Sequence, residues 1–192
     1  MNRRMGLRIG IIAFVAIMAG ATIAYNVLRD RAPVDAVPPG AGGGSGAASQ
    51  TGAQQVPDFA MTDRDGKTVR LSDLLASGKP AVLNFWASWC PPCKAEMPDF
   101  ETQYQAFGSD VQFIMVNLTD GQRETVDSAV AFIEKQGYTF PVFFDTLQQG
   151  SAAYAIQYLP TTVFIGRDGT IVSTHEGQLT EQTLQDGIAL IK

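Results

Sequence analysis

Three kinds of apolar pattern follow one another along the chain. Residues 9–28 form an unbroken run without a single charge. As a helix rising about 1.5 Å per residue, this run would span about 30 Å, the thickness of one hydrocarbon core. Residues 29–55 are mostly Pro, Gly, Ala and Ser, including Pro38-Pro39-Gly40 and Gly42-Gly43-Gly44-Ser45-Gly46. Such a stretch has too few apolar side chains to bury a core. From residue 56 to the C-terminus, short apolar segments alternate with polar ones, and this part reads as a folded domain.

Within 56–192 the pattern predicts a hairpin first, with strands at 59–62 and 68–71 about Asp65-Gly66. Ser72 then caps a short helical turn at 73–76. Residues 81–87, Ala-Val-Leu-Asn-Phe-Trp-Ala, are apolar almost throughout, which is how a strand buried on both faces reads. The pattern continues with a helix at 93–107, a buried strand at 111–118, a helix at 125–136 and a strand at 141–144. A short helix near 151–154 precedes strands at 161–165 and 171–175, joined by a turn at Asp168-Gly169, and Thr180 caps a last helix at 180–191. Beta-alpha-beta units closed by an antiparallel hairpin give an α/β domain with a mixed central sheet flanked by helices on both faces.

Charge orients the chain. Arg3, Arg4 and Arg8 precede the apolar run, and Arg29 and Arg31 follow it with Asp30 between them, a modest excess on the N-terminal side. The expected order is a cytoplasmic N-terminus at 1–8, a transmembrane signal-anchor at 9–28, a flexible linker at 29–55 and the domain at 56–192 outside. A coil of the linker's length spans about 25 to 30 Å. A cleaved signal peptide is the alternative, since Ala19-Gly20-Ala21 or Thr22-Ile23-Ala24 would suit a signal peptidase. The apolar run exceeds a usual signal-peptide core and favours the anchor. The net charge of -5 is uneven, because 56–192 carries 9 Lys and Arg against 17 Asp and Glu. That balance argues against nucleic acid, whose phosphates need a basic face, and for a protein partner.

The chain has two cysteines, both in Cys90-Pro91-Pro92-Cys93, so no other cysteine can contribute to a disulfide framework. A Cys-x-x-Cys pair between a buried strand and a helix places its first sulfur where helix N–H groups and the helix dipole favour a thiolate. Cys90, beside Trp89, is therefore the expected exposed nucleophile, and Cys93, one turn inward, resolves the mixed disulfide. Pro91 and Pro92 stiffen the link, and Pro92 suits a first helical turn. Other readings of the pair fare worse. A zinc site needs four ligands and the chain has one histidine, His175. Haem attachment needs a His after the second Cys, where Lys94 stands. A static disulfide over so short a loop would constrain little.

The segment Asn84-Phe85-Trp86-Ala87-Ser88-Trp89-Cys90-Pro91-Pro92-Cys93-Lys94-Ala95-Glu96-Met97-Pro98 resembles the extracytoplasmic thioredoxin-like oxidoreductases of the TlpA, ResA and CcmG group. The likeness continues through Phe140-Pro141-Val142, Asp145-Thr146 and the run from Leu159-Pro160-Thr161 to Ile165. It implies a thioredoxin-like fold with an N-terminal β-hairpin and an inserted helix-strand element between the cysteines and the Pro160 loop. It also implies a protein-disulfide reductase on the outer face of a bacterial cytoplasmic membrane. Exported proteins, apocytochrome c among them, would be its substrates, and a membrane thiol carrier of the CcdA or DsbD kind its electron donor. The Cys90–Cys93 disulfide would be its redox centre, with no cofactor and no metal. A peroxiredoxin would need a Thr-x-x-Cys segment, which is absent, and a glutaredoxin fits the tryptophan-rich approach poorly.

Further residues take roles from the same likeness. On residues alone Glu96 reads first as a solvated helix carboxylate, with a proton carrier near Cys93 as the alternative; the resemblance, with a glutamate here, reverses this and implies proton transfer. Asn84 stands where ordinary thioredoxins carry a buried aspartate, so it supports without titrating. Pro160 is expected in a cis bond facing the disulfide, with Leu159 and Thr161 offering extended backbone to a partner peptide and Trp89 a contact surface. Pro98 should kink the active-site helix, and His175 reads as an ordinary strand residue. Two competing functions stay open: a disulfide oxidase or isomerase acting on exported proteins, and a copper-handling thiol module, for which no Met or His lies usefully near Cys90.

Overall fold

Burial on both faces singles out the strand at Ala81–Trp86 as the centre of the sheet. The protein is described by a computed structural model over residues 54–192. The expected anchor at 9–28 and all but the last two residues of the linker at 29–55 lie outside the described residues. Among the described residues no helix is long and apolar enough to cross a membrane. The elements in chain order are β1 (Ala60–Thr62), β2 (Thr68–Arg70), α1 (Leu71–Leu75), β3 (Ala81–Trp86), α2 (Pro91–Phe107) and β4 (Gln112–Asn117). They continue with α3 (Val126–Gln136), β5 (Val142–Phe144), α4 (Gln149–Ala153), β6 (Thr161–Ile165), β7 (Ile171–Glu176) and α5 (Glu181–Ile191).

The strands lie in the order β2-β1-β5-β4-β3-β6-β7. β3, β4 and β5 run parallel, while β1, β6 and β7 pair antiparallel to their neighbours. The expected mixed sheet, N-terminal hairpin and helix-strand element are all present, the last as α3 and β5. Alternation along β3 divides the core. Val82, Asn84 and Trp86 face α2, α3 and α5, whereas Ala81, Leu83 and Phe85 face the side of α1 and α4. Asn84 is the one polar side chain in this strand, and its parity points it at the active-site helix.

Two helix starts differ from expectation. Ser72 does not cap α1: the helix begins at Leu71, and both the Ser72 N–H and its hydroxyl donate to Asp58 (2.9 and 3.1 Å), which also accepts from Arg70. An acidic side chain fourteen residues upstream takes the role expected of a local hydroxyl. α2 begins at Pro91 rather than 93, because prolines at the first helical positions leave no orphan N–H and Cys90 itself becomes the N-cap. Thr125 and Thr180 cap α3 and α5 by accepting from the Ser128 and Thr183 N–H groups.

Candidate active site

β3 ends at Trp86, and the next four residues turn the chain into α2, so both cysteines follow on the C-terminal end of this inner strand. Cys90 and Cys93 are joined as a disulfide, with Cα atoms 5.3 Å apart. The Cys90 Sγ accepts the Cys93 N–H at 3.3 Å, so the sulfur itself caps the helix. That geometry fits a thiolate at this position, which would receive the same N–H and the positive end of the helix dipole. The expectation of an exposed Cys90 needs correction. It is only 3% exposed and Cys93 is fully buried, because both belong to the core cluster of Trp86, Met97 and Leu184, with Trp89 and Leu159 packed against it.

Access comes through a cleft of about 450 Å³ lined by Trp89, Cys90, Pro91, Pro92, Leu118, Asp120, Gln148, Ile156, Gln157, Tyr158 and Leu159. Its walls are mainly apolar, and Tyr158 among them is exposed. The Leu159-Pro160 bond is cis. Leu159 lines the cleft, but the loop does not offer what was expected at Thr161. That residue is 4% exposed and sits between Phe85 and Glu176 inside the sheet, so its backbone already has strand neighbours on both sides.

Behind Cys93, one helical turn on, Glu96 is 1% exposed. Its Oε1 accepts from the Asn84 Nδ2 (3.0 Å) and its Oε2 from the Leu179 N–H (2.8 Å) just before α5. Burial disfavours the charged form, and the two hydrogen bonds only partly offset this, so the Glu96 pKa is raised to about 7. Asn84 Nδ2 also donates to Thr162 Oγ1 (3.0 Å), its cross-strand partner in register on β6. Cys93, Glu96, Asn84 and Thr162 thus meet on one side of the sheet. Among the described residues no group of three His, Cys, Asp or Glu is gathered in a way that would hold a metal ion.

A second buried carboxylate, absent from the sequence reading, braces the loop before Cys90. Glu124 is fully buried. Its Oε1 accepts from the Ser88 N–H (3.2 Å) and Asn117 Nδ2 (2.9 Å), and its Oε2 from the Ser88 hydroxyl (2.8 Å). Thr119 in turn donates to the Asn117 Oδ1 at 2.7 Å. Next to it in sequence, Arg123 lays its guanidinium 3.4 Å from the centre of the Trp89 ring, a cation–π contact. The one signal in the sequence was Asn117, a polar residue closing a strand that is apolar from Phe113 to Val116.

Comparison with known proteins agrees with this geometry. Residues 53–174 match the AhpC/TSA family. The chain is 31% identical over its full 192 residues to the thiol-disulfide oxidoreductase ResA of Halalkalibacterium halodurans, covering 97% of that protein. It is 34% identical, again over 192 residues, to ResA of Bacillus subtilis, covering 95% of it. Among solved structures it is similar to a putative thiol:disulfide interchange protein DsbE from Chlorobium tepidum. That match has a TM-score of 0.64 and 29% identity, and covers 73% of this chain and 97% of the other.

Proposed function

The chain belongs to the AhpC/TSA family, among thiol-disulfide oxidoreductases of the ResA kind, and we propose that it works as a reductase of disulfides in exported proteins. The observation that carries this reading is Glu96, buried one turn behind Cys93 with its pKa raised to about 7. A carboxyl group there can take up a proton near neutral pH, and its negative charge, once formed, opposes a neighbouring thiolate. A weakly stabilised thiolate means a weakly stabilised reduced form and hence a strong reductant.

The reaction starts from the dithiol. The Cys90 thiolate, held by the N-terminus of α2, attacks one sulfur of a partner disulfide lying in the cleft. An S–S bond forms between Cys90 and the partner, the partner's own S–S bond breaks, and its departing thiolate picks up a proton. Cys93 then passes its proton to Glu96 and attacks the Cys90 sulfur, which closes the Cys90–Cys93 disulfide seen here and releases the second partner thiolate. Two electrons have gone to the partner, and a dithiol donor restores the pair by the same steps in reverse. The domain acts outside the cytoplasm, tethered by residues 9–28, with apocytochrome c as the leading substrate class and a membrane thiol carrier as the donor. Trp89, Leu159 and the exposed Tyr158 form the apolar surface that receives the partner chain around its cysteine.

Equilibration with glutathione and thioredoxin tests the direction. A reduction potential near the thioredoxin end, about -270 mV, is expected, whereas one near the strongly oxidising end, about -120 mV, overturns the reductase reading. Trapping with Cys93→Ala should leave Cys90 joined to exported proteins carrying paired cysteines; adducts without cytochrome c precursors would remove that substrate class.

A further inference from the structure

Glu124 is a buried carboxyl group that takes no part in the exchange steps at Cys90 and Cys93. Three donors converge on it and none of them needs anything back: the Ser88 N–H, the Ser88 hydroxyl and the Asn117 amide. Two are N–H groups that can only donate, both to Oε1, and the Ser88 hydroxyl donates to Oε2, so a carboxylate satisfies all three. Asn117 is fixed at the end of β4 and by the Thr119 hydroxyl, so the carboxylate is held from the sheet side. Ser88 lies two residues before Cys90, and the turn between them is closed by the Cys90 N–H donating to the Ala87 carbonyl at 3.2 Å. The buried carboxylate therefore ties the redox turn to the end of β4.

We infer that Glu124 is a positioning residue for the reaction: it anchors the Ser88–Cys90 turn to β4 and sets a buried negative charge behind it that keeps the Cys90–Cys93 couple reducing. The other charges around Cys90 leave this effect room. Glu96 stands behind Cys93 on α2, Asp120 lies on the cleft wall, Lys94 is exposed on α2, and Arg123 is committed to the face of the Trp89 ring. α2 thus favours the thiolate through its N-terminal N–H groups, while Glu124 opposes it from the loop side. Screening by water is weak for a fully buried carboxylate, so its charge is felt across the short turn. This inference rests on exchange at Cys90–Cys93 but on no particular substrate.

Glu124→Gln tests it, because the amide keeps the size and one acceptor while deleting the charge. Alkylation of the reduced protein by iodoacetamide across pH should show the Cys90 thiol ionising at lower pH, with roughly a tenfold larger thiolate fraction below its midpoint. The reduction potential of the variant should match the wild type at acid pH. It should rise above it by about 30 mV, the equivalent of that tenfold factor, once the pH exceeds the thiol midpoint. A merely structural role would lower stability and leave both profiles in place, and that outcome overturns the inference. Ser88→Ala provides the contrast, since it removes one donor and keeps the carboxylate. It should slow exchange without moving the potential upward, and an upward move equal to that of Glu124→Gln would also count against the charge. Should Glu124→Gln fail to fold, the exchanged pair Glu124→Gln with Asn117→Asp, which keeps the hydrogen bond between the two and moves the single charge off the turn onto β4, should still let the Cys90 thiol ionise at lower pH; an unchanged midpoint overturns the inference. Because every comparison is with the wild type, an oxidising wild-type potential would sink the reductase reading and still leave the effect of Glu124 measurable.

Discussion

Asn84 spends one nitrogen on two acceptors, Glu96 Oε1 and Thr162 Oγ1, while its own buried Oδ1 has no partner. This lopsided arrangement suits an ionised Glu96. A half-turn of the amide would present Oδ1 to the same two neighbours, where it could accept from a protonated Glu96 and from the Thr162 hydroxyl. Asn84 can therefore follow the proton on Glu96 without carrying one, which an aspartate could not do. Replacing it tests the point. In Asn84→Asp two carboxylates would share a buried site about 3 Å apart, where both cannot ionise, so the Glu96 midpoint near 7 should climb by about one unit or more. Single-turnover release of partner from the mixed disulfide reads this directly: its rise with pH should shift upward in Asn84→Asp. In Glu96→Gln the rise should vanish, with a loss of about 100-fold at pH 7, the usual scale for a missing general base. A profile unchanged by either substitution would mean that Cys93 loses its proton elsewhere.

At the scale of elements, α5 does more than cover the sheet. The Leu179 N–H that binds Glu96 lies just before it, and Gly187 lets the helix approach so closely that any Cβ there would overlap the Phe164 ring of β6. Two opposing terms decide the effect of Gly187→Ala. Helix propensity favours alanine by about 1 kcal/mol, but overpacking against an aromatic ring in a filled core costs about 1 to 3 kcal/mol. The ring is buried and hemmed in, so the clash should win: urea unfolding should show a net loss of up to about 2 kcal/mol. A more stable variant would mean that Phe164 yields easily. The strands and helices themselves were legible because their period and caps are local, as at 161–165, where expected and observed strands coincide, and at Thr180, whose capping partner is three residues away. What could not be read depends on chain segments meeting after folding. Asp58 reaches Ser72 across 14 residues, Glu124 reaches Ser88 across 36, and Leu179 reaches Glu96 across 83. The burial of Cys90 and the double pairing of Thr161 belong to the same class. No local pattern announces that a cysteine at a helix start will be covered, or that the first residue of a strand will be paired on both sides.

Over the whole molecule the carboxylates pull stability in opposite directions with pH. Burial alone would raise Asp58 and Glu101, but their donors prevail and hold both below the usual carboxylate range: Ser72 and Arg70 for Asp58, and Thr139, Gln105 and Phe140 for Glu101. Their contribution is present above the unfolded midpoint and fades as acid titrates the folded carboxylates. Glu96 has the reverse sign. Its folded pKa, near 7, lies above the model-peptide value of 4.5, so its contribution is complete below that value and is lost as pH rises through 7. A difference of this size corresponds to at most about 3 kcal/mol. Urea unfolding of the oxidised protein should therefore be hardest near about pH 5 and ease by up to about 3 kcal/mol toward pH 8, while Glu96→Gln should be nearly flat over that interval. A wild-type stability that climbs from pH 5 to 8 would mean that Glu96 ionises at an ordinary value, and its part in the resolving step would fall with it. The same burial that makes Glu96 a proton acceptor at neutral pH thus weakens the fold there. The site works where Glu96 is partly ionised, and the fold is firmest where that carboxyl keeps its proton.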